Sequence, residues 1–404
     1  MYFKLAWKNI WRNKKRTVIV SASVFFAVIL ACVMRSAQLG SYSYMIDSAA
    51  KMQTGYLQIQ GEKFWENRSL DESIQLTSGF QDSLQKINHI TSLTPRLEAF
   101  ALLSKDSITK VSPVIGIDPQ KEHNMTELDK KLVSGQYLQS GDQGIIIASG
   151  LAKRLKAVLG DSIVLYGSGF HGQIAAAELK ITGIVELPLP QMNEAMAFID
   201  LPNAQYIYAA PGRITSLSIM IDNIRNLETV NDAVHGMLTN KLTVMTWDEM
   251  MPDLVQSIEM DNASGLIMIG ILYMVIAFGV FGTIMMMTAE REKEFGILNS
   301  IGMKKQRMIF VSLIESVMIS LIGVVFGVLG SIPITAYLKA NPIVLSGDSA
   351  AAWESLGIEP IMTFSVNPDI YFWQSIIVFV IALFCALYPL LFIGHLKPIQ
   401  AMRR

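Results

Sequence analysis

Catalysis or ligand chemistry needs a nucleophile, a metal site or a phosphate cradle, and the residues able to supply one are thinly spread here. The five histidines, His89, His123, His171, His235 and His395, stand far apart, with no HExxH pair and no Cys/His cluster that would close around a metal ion. Both cysteines, Cys32 and Cys385, fall in apolar runs, where a thiol behaves as a small hydrophobe. The polar part of the chain has no cysteine, so an apolar core alone must hold it. Neither a GxSxG elbow nor a GxxxxGK[ST] loop occurs. The one GxGxxG match, Gly167, Gly169 and Gly172 in GSGFHG, runs into strand-like residues through Leu179 instead of a helix. It reads as a glycine-rich hairpin loop, since a dinucleotide cradle needs a helix N-terminus there. The expectation is a non-enzymatic chain that binds no metal and no cofactor of its own.

The informative residues are charges beside apolar sequence. Glu315 and Arg35 border long uncharged runs, and charges near membrane depth face protein or water and find partners. Glu315 is expected to pair with the basic N-terminal segment, and Arg35 to snorkel outward. A second cluster is Glu290-Arg291-Glu292-Lys293-Glu294-Phe295-Gly296-Ile297-Leu298-Asn299-Ser300-Ile301-Gly302. Gly296 permits a sharp change of direction there, and Ile297, Leu298 and Ile301 form a short apolar stripe. Such a helix either packs on its own subunit or inserts into a groove on a soluble partner.

The elements that position these residues follow from composition. The chain has 404 residues, 51% hydrophobic and 17% charged, with a mean hydropathy of +0.38 and a net charge of -1. Soluble domains carry about 25% charge, so part of this chain belongs in lipid and part in water. The balanced charge offers no basic surface for nucleic acid. Four uncharged runs, Val18 to Met34, Asn262 to Ala289, Ser316 to Leu338 and Ile370 to Gly394, contain 17, 28, 23 and 25 residues. At 1.5 Å per residue each can cross a hydrocarbon core of about 30 Å, the first with help from its flanks. Three later spans favour an uncleaved anchor over a signal peptide for the first.

Lys and Arg crowd the segment before span 1 (Lys4, Lys8, Arg12, Lys14, Lys15, Arg16), the loop between spans 2 and 3 (Arg291, Lys293, Lys304, Lys305, Arg307) and the tail (Lys397, Arg403, Arg404). The loop between spans 3 and 4 has Lys339 against Asp348, Glu354, Glu359 and Asp369. The positive-inside rule therefore predicts cytoplasmic termini and a cytoplasmic 290–307 loop. The segment 41–261 is then extracytoplasmic, with 26 acidic and 17 basic residues. Within it Gly144 to Ala148, Ser162 to Tyr166 and Leu179 to Val185 read as strands and Leu151 to Leu159 as a helix, so the external fold is α+β. At the N-terminus Phe3, Ala6, Trp7 and Ile10 share one helical face and Lys4, Lys8 and Arg12 another, as in an interfacial helix lying on the cytoplasmic leaflet. In span 3, Gly323, Gly327 and Gly330 predict a close helix contact.

Nearly the whole chain resembles the four-span permeases of the MacB, LolC/LolE and FtsX group of ATP-binding-cassette systems. LAWKNIWRNKKRT at Leu5 to Thr17 is similar to the family's opening segment, and EREKEFGILNSIGMKKQRM at Glu290 to Met308 to its coupling helix. Glu315 sits where members commonly carry a glutamate, and Tyr388-Pro389 with Lys397-Pro398-Ile399-Gln400-Ala401-Met402-Arg403 is similar to the closing pattern. GIIIASGLAKRLKAVLGDSIVLYG at Gly144 to Gly167 and AMAFIDLPNAQYIY at Ala195 to Tyr208 resemble the periplasmic core.

The resemblance implies a bacterial inner-membrane protein of four transmembrane helices with a large periplasmic α+β domain. Its order would be a cytoplasmic amphipathic helix at 1–16, spans at 17–40, 262–289, 308–338 and 370–394, and a periplasmic core at 41–261. A coupling-helix loop would occupy 290–307, a periplasmic loop 339–369 and a cytoplasmic tail 395–404. Within the core, a Porter-like subdomain from about 47–112 and 210–247 would enclose a small β-rich insertion at 113–209.

The implied mechanism is mechanotransmission. No ATPase is fused to this chain, so ATP and Mg would be bound by a separate ABC ATPase dimer, docked on Glu290, Arg291, Glu294, Phe295, Gly296, Ile297, Leu298, Ile301 and Gly302. A second permease subunit, identical or related, would complete the complex. Helical extensions at Ser41 to Met52 and at Asp248 to Asn262, the latter with a Thr246/Glu249 capping box and a restart at Pro252, would carry motion outward. The favoured cargo is a lipoprotein handed to a periplasmic carrier. Moving roughly 45 acyl methylenes into water costs on the order of 35 kcal/mol, which calls for ATP and an apolar shelter. Phe25, Phe26, Ile29 and Val33 of span 1 and Leu266, Ile269 and Tyr273 of span 2 are the candidate residues facing lipid or substrate. The alternatives are MacB-like efflux of peptides or drugs, and FtsX-like regulation of periplasmic cell-wall hydrolases.

Overall fold

Four stretches of apolar sequence become helices long enough to cross a membrane. The computed structural model describes residues 2–12, 14–188, 190–238, 241–348, 350, 353 and 360–395. The Lys397 to Arg404 tail, Glu354, Glu359 and the side chain of Phe3 lie outside the described residues. Two compact units emerge, one from Met1–Tyr44, Ser257–Val344 and Ile361–Arg404, the other from Met45–Gln256 and Leu345–Pro360.

In the first unit, span 1 is the helix Lys14–Ala49, span 2 Pro252–Glu290 and span 3 Lys305–Ala340, of 36, 39 and 36 residues. At 1.5 Å per residue, 36 residues extend about 54 Å, well beyond a hydrocarbon core of about 30 Å. Span 1 continues beyond Ala49 as a π-helical stretch, Ala50–Thr54. Ahead of span 2 the short helix Trp247–Met250 carries the Thr246/Glu249 capping box, and Pro252 opens span 2. A proline fits this first position because its missing N–H would have no partner there.

Span 4, expected as one run to Gly394, is two helices, Pro368–Cys385 and Tyr388–Gly394. Pro389 has no N–H to offer the Cys385 carbonyl one turn back, so the helix restarts. Span 3 packs against the N-terminal helix Tyr2–Arg12 and against both halves of span 4. It also meets span 1 through its glycines. A Cβ on Gly323 would lie 2.7 Å from Val24 Cβ, one on Gly327 2.7 Å from Val28 Cβ, and one on Gly330 3.1 Å from the Phe25 ring. Such contacts let backbones approach where lipid offers no hydrophobic drive for association. Cys32 and Cys385 are buried in this apolar cluster as free thiols.

The second unit is built on a ten-stranded mixed sheet. Its strands are β1 (Leu57–Gly61), β3 (Ile90–Lys105), β4 (Ile108–Ile117), β5 (Leu132–Gly135), β6 (Ile145–Ala148), β7 (Ser162–Ser168), β8 (Ile174–Val185), β9 (Ala197–Asp200), β11 (Ser216–Ile221) and β12 (Leu242–Thr246). The short β2 (Ile74–Gln75) and β10 (Arg213–Ile214) pair separately. The order is β12-β1-β11-β3-β4-β9-β6-β8-β5, with β7 bridging β3 and β8. Among the described residues, the β4·β9 and β6·β8 pairs are parallel and the other pairs antiparallel.

The 16-residue β3 serves two cores. Leu93 belongs to one that includes Leu57, Ile59, Leu217 and Val230, while Leu97 and Leu103 belong to another with Ile145, Ile147, Ile163 and Ile199. Between them Arg96 is fully buried, holding Glu122 through Nε at 3.1 Å and Nη2 at 2.6 Å and donating from Nη1 to the Gln53 carbonyl. The GSGFHG segment joins β7 to β8, with Ser168 opposite Ile174, and is the hairpin its sequence predicts. The helix expected over Leu151 to Leu159 is Ser149–Leu155, stopped by Lys156 in the left-handed conformation.

Candidate functional site

Spans 2 and 3 are joined through Glu292–Ser300, a nine-residue helix. The chain turns at Arg291 on entry and at Gly302 on exit, where φ is +97° and a side chain would be strained. Met303 N donates to the Leu298 carbonyl and Gly302 N to the Asn299 carbonyl, the paired bonds of a Schellman cap. Gly296, expected to bend the chain, is instead buried inside this helix, because the turns flanking it already take up the reversal.

Arg291 anchors the inner face. It is 5% exposed, and its Nη1 donates to Glu315 Oε2 at 2.6 Å while Nε donates to Glu294 Oε2 at 3.3 Å. Its guanidinium also lies 5.3 Å from the Phe295 ring. Glu315, 3% exposed on span 3, thus pairs with this bridging segment and not with the N-terminal helix as expected. The reason is geometric: the N-terminal helix buries Ala6 and Ile10 and leaves Lys4, Lys8 and Arg12 outward, so its cations point away from Glu315. Its link to this region is an exposed Arg12–Glu294 contact at 3.5 Å. Trp7, expected beside Ala6 and Ile10, is exposed next to Trp11.

Phe295, Met308 and Ile393 close a small buried cluster behind the helix. On the opposite face Ile297, Leu298 and Ile301 are 51%, 40% and 79% exposed, and Glu290 lies exposed at the end of span 2. Full burial of a side chain of this kind contributes about 1.5–3 kcal/mol. The arrangement is therefore a rigidly held helix offering an apolar face.

At the far end of the spans lies a polar network. Arg35 Nη1 donates to Gln38 Oε1 at 2.6 Å and to Asn262 Oδ1 at 3.2 Å. Gln38 Nε2 donates to Tyr42 OH at 2.8 Å, and Tyr42 donates to Asp261 Oδ2 at 2.6 Å. Arg35 therefore does not simply snorkel; two neutral amide oxygens hold one of its nitrogens. Gly265 leaves room for Gln38, since a Cβ there would fall 1.9 Å from Gln38 Nε2. Nearby Tyr273 donates to Gln374 Oε1 of span 4. Arg35, Leu266, Ile269, Tyr273, Asp369 and Trp373 are among the residues around a cavity of about 310 Å³.

Of the candidate lipid-facing residues, Phe26 and Leu266 are exposed, while Phe25, Ile29, Val33 and Tyr273 are half-buried. Ile269 is buried and so does not face lipid in this unit; it turns inward toward the cavity. Gln38, Tyr42, Asp261 and Gln374 carry no signal that singles them out in the sequence, and Asp369 stands there only as one acidic residue of a loop. Polar side chains at the ends of three separate spans were the available signal, but nothing local tells which of them meet. Among the described residues no group of three or more His, Cys, Asp or Glu is placed to hold a metal ion.

Two family models match the chain: the MacB-like periplasmic core domain over residues 17–236 and the FtsX-like permease C-terminal over residues 266–398. The lipoprotein-releasing system transmembrane protein LolC of Xylella fastidiosa (strain Temecula1) is 20% identical over 325 residues, 78% of each chain. The lipoprotein-releasing system transmembrane protein LolE of Haemophilus influenzae is 21% identical over 359 residues, 82% of each chain. Among solved structures, the periplasmic region of MacB from Actinobacillus actinomycetemcomitans aligns with a TM-score of 0.34 and 18% identity, covering 49% of this chain and 91% of that one. The extracellular domain of the transporter YknZ from Gram-positive bacteria gives 0.33 and 12%, covering 47% and 99%.

Proposed function

Because this chain belongs to the MacB, LolC/LolE and FtsX family of ABC-transporter permeases, we propose that it is the membrane subunit of an ATP-driven lipoprotein-releasing system. A separate ABC ATPase dimer supplies ATP hydrolysis, and a second permease subunit completes the complex. The observation that carries the coupling role is the bridging helix. Its Ile297, Leu298 and Ile301 face is exposed, while the buried Arg291–Glu315 pair and Phe295 fix its back to spans 2 and 3. A face held this way transmits a push from a docked ATPase into the spans instead of absorbing it. The excess of Lys and Arg around this segment supports a cytoplasmic position for it.

Lipoprotein as cargo is supported by the named activity of the LolC and LolE relatives, which align over about four-fifths of this chain. Spans 1 and 2 run as unbroken helices to Ala49 and from Pro252, past the ends of their apolar runs, and such helical extensions are the elements that mechanotransmission would use. Phe26 and Leu266 present apolar surface for acyl chains.

Two measurements test the proposal. In proteoliposomes holding the permease and its ATPase, acylated lipoprotein should pass to a soluble acceptor only with ATP; release that persists with an inactivated ATPase overturns it. ATP-driven export of a peptide or drug with lipoprotein retained would favour the efflux reading instead. Separately, Ile297→Asp or Leu298→Asp should leave the protein in the membrane but weaken ATPase capture about tenfold or more, given the apolar burial lost. Unaltered capture in a pull-down would contradict the docking role.

A further inference from the structure

The cavity beside Arg35 has a chemistry that neither coupling nor cargo release explains. Arg35 is half-buried, and both of its hydrogen bonds, to Gln38 and Asn262, leave from Nη1 and end on neutral amide oxygens. Among the described residues Arg35 forms no ion pair, and neither Nε nor Nη2 has a hydrogen-bond partner. A guanidinium presents five donors in a planar fork that fits a phosphate. A half-buried cation with no direct ion pair, set beside apolar walls, favours an incoming anion.

The rest of the lining narrows the ligand. Leu266, Ile269, Ile370 and Ile377 give it apolar walls, and Trp373 stands exposed at its edge, as aromatic rings do at headgroup depth. Asp369, exposed in the first turn of span 4, adds one carboxylate to the same cavity. One cation and one carboxylate over apolar walls match a zwitterion attached to hydrocarbon. An acyl chain alone would leave Arg35 unanswered, and a purely anionic headgroup would meet Asp369. A volume of about 310 Å³ admits a headgroup and the start of its chains, with the remainder lying along the exposed side of span 2 at Leu266 and Ile267.

We propose that this cavity binds one membrane phospholipid with a phosphoethanolamine headgroup, its phosphate on Arg35 and its ammonium on Asp369. The assignment does not depend on which cargo the complex moves, although Leu266 is shared with the apolar surface offered to acyl chains.

The test uses the full chain in detergent, stripped of lipid, with native mass spectrometry after adding synthetic phosphatidylethanolamine, phosphatidylglycerol or diacylglycerol. Wild type should retain one phosphatidylethanolamine about tenfold better than either other lipid, the scale of a charge-assisted hydrogen bond. Arg35→Gln should lose about that factor, and Asp369→Asn should erase the preference over phosphatidylglycerol. Leu266→Trp enlarges an apolar wall of the cavity while leaving Arg35 and Asp369 in place and should also lower retention, which decides the matter even if Arg35→Gln folds poorly. Equal retention by wild type and Leu266→Trp, or diacylglycerol held as well as phosphatidylethanolamine, overturns the proposal. So does inorganic phosphate raising the thermal midpoint as much as the lipid does, since that marks a site for free phosphate.

Discussion

Among single residues, Arg291 and Glu315 show best what local sequence reveals. Glu315 stands out because it is a charge at the border of an uncharged run, and the need for a partner follows from that position alone. The partner's identity does not follow. Arg291 sits among alternating charges that all look solvent-facing, and only the reversal of the chain at 291–302 turns it inward while Lys293 stays exposed. The two side chains are 24 positions apart in sequence and 2.6 Å apart in space. Removing one member of a buried pair leaves the other uncompensated, at a cost of about 3–5 kcal/mol. Glu315→Gln or Arg291→Met should therefore loosen the bridging helix, lowering the thermal midpoint of the full chain in detergent. The double variant should recover much of that loss. A double variant as damaged as the sum of the singles would show that the pair does not act as a unit.

Elements are more legible than contacts, because hydropathy and glycine spacing are local properties. The four runs all become helices, and Gly323, Gly327 and Gly330 mark the face of span 3 that receives span 1. Spans 1 and 2 run past their apolar runs where helical extensions are expected, because polar residues such as Ser41 and Asp261 continue a helix readily once it is nucleated; the polar network those residues carry is what periodicity does not show. Gly327→Leu should collide with Val28 and destabilise the spans by about 1–3 kcal/mol, the usual cost of overpacking. Gly270→Leu meets nothing within 4 Å and serves as the control in the same thermal measurement. Similar midpoints for the two variants would refute the packing role of the span 3 glycines.

For the molecule as a whole, the external unit has no cysteine and depends on its two apolar cores and its surface charges. Asp222 is held below the ordinary carboxylate range by hydrogen bonds from His89 and Asn226, and Asp161 by Lys105 and the Val158 backbone N–H. In the unfolded chain such groups titrate near about 3.9. A carboxyl depressed in the folded state stabilises fully above that value, and its contribution fades as pH falls through the folded value. Stability of this unit should therefore drop as acidification takes the pH below about 4. Hydrogen exchange of β3 and β11 in the full chain, compared with an Asp161→Asn/Asp222→Asn variant, reads the effect. An equally steep pH response in the variant would assign the acid sensitivity elsewhere.

The sequence by itself determined that this chain has four apolar helices and a water-facing α+β domain, a short bridging helix with an apolar stripe, and a family likeness along nearly its whole length. Those properties depend on residues a few positions apart, where periodicity and charge already express the physics. Only the tertiary structure decided that Glu315 meets Arg291, that Ile269 turns inward, that β3 serves two cores and that Arg35 opens on a cavity. Each of these joins residues distant in sequence, and the energy of a buried charge or a close helix contact depends on the geometry of both partners at once.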